Sequence, residues 1–245
     1  SNQPVAHSAN ILSSVTVDLV ENDRVTIGHS LTSALAEGNE NTFLFSGQAR
    51  GGMPYIDLKK AGSTGVYEKV IHQVVNAKVD FNDIVYLGVT CIHGEQDGLN
   101  NNTSYAANLN DWQQDFDGDI KVITGQSEDV PMYICQTSTA GGYGFNGGIT
   151  ELTFPTPLEQ LEAHETYSDV VLVCPKYFLA YTDHAHIRNI SQRILGEYYA
   201  KAMKQGANYQ PLKPVNTTIA ANKVIIDFTG NVGDLYFDTV NIQAV

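Results

Sequence analysis

An Asp stands three residues ahead of a His in Tyr181-Thr182-Asp183-His184-Ala185-His186-Ile187. That spacing lets a carboxylate curl across one turn and accept the Nδ1 proton of the imidazole, leaving Nε2 to take a proton from a hydroxyl. A candidate hydroxyl lies far upstream, Ser30 in Val25-Thr26-Ile27-Gly28-His29-Ser30-Leu31. A nucleophile, a base and a carboxylate that fixes the base's tautomer are the parts of an acyl-transfer site. Ser30, His186 and Asp183 are therefore read as nucleophile, general base and orienter of a serine hydrolase.

Other motifs exclude more than they indicate. Glu95 and Asp97, within His93-Gly94-Glu95-Gln96-Asp97, share one turn, and two carboxylates so placed seldom flank a glycosidic bond. The run Asp115-Phe116-Asp117-Gly118-Asp119 starts like a calcium loop, but Ile120 and Gln126 stand where such a loop needs Gly and Glu. It is read as a solvated turn. The glycines over 141–148 lack the Lys-Ser/Thr of a phosphate loop and are read as a cleft rim. Three widely spaced cysteines, Cys91, Cys135 and Cys174, allow at most one bridge, form no zinc pattern, and read as small buried hydrophobes. No metal is expected.

A formal net charge of −13 argues against a nucleic-acid partner, which would need clustered Lys and Arg. The apolar runs fall far short of the ~20 residues that cross a bilayer, and no cationic start leads into an apolar signal core, so no membrane association is expected.

The elements that must position these residues follow from periodicity. Strands are expected over 25–28, 83–92, 130–135 and 169–174, and helices over 67–78, 105–115, 158–164 and 187–203. In the last helix, Ile190, Ile194, Tyr198 and Ala202 fall on one stripe and are assigned to the core. Strands alternating with helices indicate an α/β fold with a mostly parallel sheet, whose ligands bind at the carboxyl ends of the strands. After about residue 205 the texture changes. Pro211 and Pro214 break the helical pattern, and 224–228 and 235–237 read as strands joined by residues 230–233. The expected organisation is a catalytic domain over 1–210 and a β-rich appendage over 211–245. Such short strands cannot make a core alone, so they must pack on the first domain or begin an accessory sandwich.

Three blocks in this order resemble the SGNH (GDSL-like) hydrolases, and within them the sialate O-acetylesterase-like carbohydrate esterases. They are Gly28-His29-Ser30-Leu31, Ile92-His93-Gly94-Glu95-Gln96-Asp97 and Asp183 to His186, and residues 125–126 and 136–138 are similar to the stretch after the middle block. The resemblance spans residues 24–204 and implies a three-layer α/β/α SGNH-hydrolase fold. It implies a Ser-His-Asp O-acetylesterase without cofactor, acting on an O-acetylated polysaccharide. Modules of this kind are frequent in bacteriophage tail spikes and fibres, which implies an extracellular or virion setting and a homo-oligomer, trimeric in a tail spike; otherwise a secreted or periplasmic bacterial enzyme is implied. Gly51, Gly52, Gly94, Glu95 and Gln96 would form the oxyanion and substrate-binding positions. Gln96 replaces the Asn that the general family uses as oxyanion donor. Ser30 and Gly51 are also too close in sequence for the helix and strand the family places between them. Two other readings stand beside this one: a non-catalytic carbohydrate-binding module on the same fold, and a lipase or thioesterase.

Overall fold

The computed structural model describes residues 26–138, 154–183, 185–221 and 223–229. Three short apolar runs pair in chain order as a parallel sheet: β1 (Val89–Cys91), β2 (Met132–Gln136) and β3 (Val170–Pro175). Parallel neighbours require crossovers. Helices α4 (Glu95–Leu99) and α5 (Tyr105–Thr124) lie between β1 and β2, and α6 (Thr156–Thr166) between β2 and β3. Side chains alternate along the strands and feed two cores. Met132, Ile134, Val170 and Leu172 pack with α3 (Val66–Asp80), α5 and α6. Tyr133, Cys135, Val171 and Val173 pack with α1 (Gly28–Ala36) and α7 (Asn189–Gln205). The fold is thus α/β, with helices on both faces of a parallel sheet. Tyr105, Leu109, Trp112, Phe116 and Ile120 form the buried stripe of α5, and full burial of a side chain such as Leu109 stabilises by about 1.5–3 kcal/mol.

Several expectations change. At the described positions 26–28 there is no strand, because Gly28 opens α1. Ile27, Leu31 and Leu35, spaced by four, are all buried, and that helical period prevails over the short apolar run before Ser30. The run 83–92 contributes only Val89–Cys91, with Val85 and Leu87 exposed. Its earlier part is held differently: Gln126 accepts from the Tyr86 N–H (2.8 Å) and donates to the Tyr86 carbonyl (3.0 Å). Residues 115–119 are not a turn but lie in the second half of α5. Their carboxylates brace the helix: Asp119 accepts from Lys60 and Tyr67, Asp117 from the Val130 N–H. Between α1 and the short helix α2 (Tyr55–Leu58) there is no further helix or strand, as the short sequence between Ser30 and Gly51 requires.

The face assigned to α7 is also corrected. Of the stripe expected in the core, Ala202 is buried, but Ile190, Ile194 and Tyr198 are 57%, 37% and 36% exposed, whereas Ser191, Leu195, Gly196, Tyr199 and Ala200 are buried. Both stripes have helical period; the buried one carries Gly196 and Ala200, whose small size admits the backbone of α1. The Tyr199 hydroxyl crosses the core to donate to the Cys91 carbonyl (2.8 Å), fastening α7 to β1. All three cysteines are free and buried.

In its described residues the appendage forms an antiparallel hairpin of β4 (Lys213–Ala220) and β5 (Lys223–Thr229). Pro211 just before β4 and Pro214 within it hide this strand in the sequence, yet Pro214 is tolerated because a two-stranded ribbon leaves edge positions that need no ladder donor. The apolar side chains Val215, Ile219, Val224, Ile225 and Ile226 are exposed, so this part of the appendage does not bury its faces on the α/β unit. Its root is tied by Tyr209, whose hydroxyl donates to the Val173 carbonyl (2.5 Å), and by the Lys213–Glu165 ion pair. The strand expected over 235–237, the rim over 141–148 and His184 lie outside the described residues.

Close approach at the α1–α7 contact makes Gly196 a sensitive position. A Cβ there would stand 2.6 Å from the Ile27 carbonyl oxygen and 2.1 Å from Ser30 Oγ. Gly196→Ala is expected to lower unfolding stability by about 1–3 kcal/mol through overpacking, despite the better helix propensity of Ala. Urea denaturation measures it, and a neutral or stabilising change would show that the two helices separate without cost.

Candidate active site

The strands are buried on both faces, so polar chemistry collects at their carboxyl ends. There β1 runs into His93 to Asp97, β2 into Thr137 and Ser138, and β3 into the segment from Lys176 to His186.

The Asp183–His186 pair is formed. His186 Nδ1 lies 2.7 Å from Asp183 Oδ2 and 2.9 Å from Oδ1, and a carboxylate only accepts, so Nδ1 carries the proton. Asp183 Oδ1 also accepts the backbone N–H groups of Ala185 (2.9 Å) and His186 (2.8 Å). Partial burial pushes the Asp183 carboxyl up, but these two backbone donors, and then the imidazole, bring it down to about 2. The turn is closed by the Tyr181↔Ile187 bridge, by the Thr182 N–H on the His186 carbonyl (2.8 Å) and by the Arg188 N–H on the Ala180 carbonyl (2.8 Å). A tight hairpin therefore presents the pair, not the start of a helix; α7 begins three residues later.

The His93 to Asp97 block holds a tertiary knot. His93 Nε2 is 2.9 Å from the Met53 carbonyl, which can only accept, so Nε2 is the protonated nitrogen. Nδ1 then accepts from the Tyr105 hydroxyl at 2.6 Å, and burial keeps that phenol protonated. Asp97, buried, accepts the Tyr55 N–H (2.8 Å) and the Asn102 side-chain amide (2.8 Å). These bonds draw Gly51 and Gly52, in the turn just before Met53, toward the block. Gly94 has φ 127°, and a Cβ on it would meet Thr156 Cγ2 at 2.6 Å and Gln160 Nε2 at 3.0 Å, so glycine is required there. Gln160 completes the knot, donating to the His93 carbonyl (2.9 Å) and accepting the Thr137 N–H (2.7 Å).

Glu95 has a partner that the sequence did not reveal. It forms an ion pair with Lys176, a residue only 2% exposed. Burial acts against both charges, but each reverses it for the other: Glu95 is held below the usual carboxylate range and Lys176 above the usual lysine range. The signal available was a single Lys closing the apolar run from Val170 to Pro175, at the end of a strand where sites collect. Nearby, the Tyr181 hydroxyl bonds to Ser138 Oγ and donates to the Lys176 carbonyl (3.3 Å).

Two expected site residues are engaged elsewhere. Ser30 Oγ, 8% exposed with its residue, donates to the Ile27 carbonyl (3.2 Å) and faces Gly196. Gly196 is seven residues into α7, about 10 Å along the axis from its start, while His186 precedes that start. The structure thus brings Asp183 to His186 but directs Ser30 Oγ to the helix interface. Gln96 donates its amide to Oδ1 of Asn100, the residue that caps the end of α4 (3.0 Å), so the side chain expected at the oxyanion instead makes a local bond along that helix. Gln126, on the other side of the sheet's length, is a clamp on Tyr86 and not part of this rim. Among the described residues no group of three or more His, Cys, Asp or Glu could hold a metal ion, and no helix is long and apolar enough to cross a membrane.

The depressed Asp183 carboxyl has a measurable consequence. A carboxyl whose folded midpoint lies below its unfolded value, ~3.9, stabilises the hairpin above that value and loses this contribution as pH falls toward about 2. Side-chain carbonyl NMR is expected to place the Asp183 midpoint near 2, and to move it upward in His186→Ala, which deletes the imidazole but keeps the backbone donors. An unshifted midpoint in that variant would show that the imidazole contributes nothing to the carboxylate.

No family model matches the chain, and no curated protein matches it. Among solved structures it is similar to a protein from Arabidopsis thaliana, with a TM-score of 0.61 and 19% sequence identity over 78% of this chain and 73% of that one. At that identity the likeness shows a shared α/β fold.

Proposed function

We propose that this protein is a serine ester hydrolase of the SGNH type that removes O-acetyl groups from a carbohydrate. The observation that carries the proposal is the Asp183–His186 pair, in which the carboxylate holds Nδ1 and leaves Nε2 as the basic nitrogen. In the reaction, Ser30 Oγ gives its proton to His186 Nε2 and attacks the acetyl carbonyl, Asp183 stabilises the imidazolium, and water releases acetate by the reverse proton traffic. This requires Ser30 Oγ to leave the Ile27 carbonyl and the Gly196 contact, and the α1–α7 contact and the hairpin to shift until hydroxyl and imidazole meet. With Gln96 and both His93 nitrogens engaged, the oxyanion donors are assigned to backbone N–H groups, those of Ser30 and of the Gly51-Gly52 turn. The carbohydrate substrate, the bacterial-surface polysaccharide among its forms, and an extracellular or virion setting, with a trimeric assembly if the chain is a tail spike module, or else a secreted or periplasmic one, rest on the resemblance of the three sequence blocks.

One observation favours a second reading. Ser30 Oγ is bonded to the Ile27 carbonyl and packed on Gly196, as suits a carbohydrate-binding module that keeps the fold without the chemistry.

Turnover of nitrophenyl acetate separates the two. The wild type is expected to hydrolyse it, and to prefer it over long-chain esters that a lipase would favour. Ser30→Ala and His186→Ala are expected to retain less than about a hundredth of wild-type kcat/KM while remaining folded, and Asp183→Asn to lose less than His186→Ala, because its imidazole remains. Activity in Ser30→Ala would remove Ser30 as nucleophile. An inactive wild type that still binds acetylated polysaccharide would establish the binding module.

A further inference from the structure

We propose that Lys176 is a positioning residue: its ion pair with Glu95 fixes the first turn of α4 against the hairpin that carries Asp183 and His186. The catalytic consequence rests on the esterase reading above; the positioning itself does not.

The two partners come from different strand ends, Glu95 from the turn after β1 and Lys176 from the turn after β3, and the strand between them is β2. Each is connected onward. On the Glu95 side, Gly94 is wedged beneath Thr156 and Gln160, and Asp97 holds the Tyr55 N–H behind the Gly51-Gly52 turn. On the Lys176 side, its N–H extends the ladder to the Gln136 carbonyl (3.0 Å), and its carbonyl accepts from Leu179 (3.0 Å) and the Tyr181 phenol. Tyr181 opens the bridge that closes around Asp183 and His186, and its carbonyl accepts from Arg188 Nε (3.1 Å). The ion pair is thus a direct side-chain link between the two groups of proposed catalytic atoms, beside the longer route from Tyr181 through Ser138, Thr137 and Gln160 to the His93 carbonyl.

Energetics point the same way. Two charges taken from water lose much of their mutual attraction to desolvation, and an apolar pair of similar volume often stabilises as well or better. An ion pair does what an apolar pair does not: a carboxylate and an ammonium meet at one separation and direction, whereas apolar groups slide. A buried Lys–Glu pair at this seam is therefore explained by geometry more than by stability.

Replacing both partners tests the idea. In Lys176→Met/Glu95→Leu no charge is stranded, and the urea midpoint is expected to stay near wild type. Amide exchange at Tyr55, Thr182 and Arg188 is expected to accelerate by about tenfold or more, and kcat on nitrophenyl acetate to fall by about tenfold with KM within about twofold. Lys176→Arg, which keeps the charge, should restore most of both. A stable double variant with wild-type exchange overturns the positioning, and one with faster exchange but wild-type kcat overturns its catalytic consequence. Should the double variant fail to fold, Glu95→Asp, which keeps the charge but shortens the link by one methylene, is read with the same criteria. If the wild type hydrolyses no ester, the esterase reading falls, and the exchange arm alone decides whether the pair positions the hairpin.

Discussion

Burial of a three-stranded parallel sheet on both faces decides where everything else in this protein can sit. Val170 to Cys174 are all buried, and the first polar side chain after them, Lys176, is already at the rim. A charged group cannot stand in such strands without a partner, so the charged residues gather past their carboxyl ends. The helices are placed by the same requirement: α3, α5 and α6 cover the face of Met132 and Ile134, while α1 and α7 cover the face of Tyr133 and Cys135. The phenols of Tyr199 and Tyr209 cross the second of these cores to a backbone carbonyl as acceptor.

The rim itself is built in two ways. The Asp183–His186 pair is local: one turn, three donors onto one carboxylate, and a bridge that closes the hairpin. The opposite side is assembled from distant segments, with the 53–55 loop, α4, α5 and α6 meeting at His93, Asp97 and Gln160. A local pair keeps its geometry through small shifts of its surroundings. A knot of long-range bonds keeps its geometry only if every neighbour stays in register, and this gives the Lys176–Glu95 link its place between the two.

Ser30 belongs to a third environment, the α1–α7 contact. Its Oγ lies among groups chosen for close approach, with Gly196 opposite and the Ile27 carbonyl as acceptor. Acyl transfer asks this hydroxyl to leave that contact for the imidazole, so the packing of two helices and the reactivity of one serine are coupled in this fold.

By itself the sequence determined what depends on short range. Apolar periodicity located α3, α5, α6 and α7 and the strands β2 and β3, because burial of a repeating face is written into consecutive residues. The D-x-x-H spacing determined the pairing of Asp183 with His186, because three residues of chain bring the two together whatever surrounds them. Only the tertiary structure decided which of two equally periodic stripes of α7 is buried, since that turns on Gly196 and Ala200 meeting α1. It also decided that the run before Ser30 joins a helix, that residues 115–119 continue one, and that Pro214 sits in a strand. The partners of His93, Glu95 and Gln96 were likewise beyond the sequence. A side chain with several competing acceptors takes the one that packing brings within 3 Å, and for Glu95 that group lies 81 residues away, at Lys176.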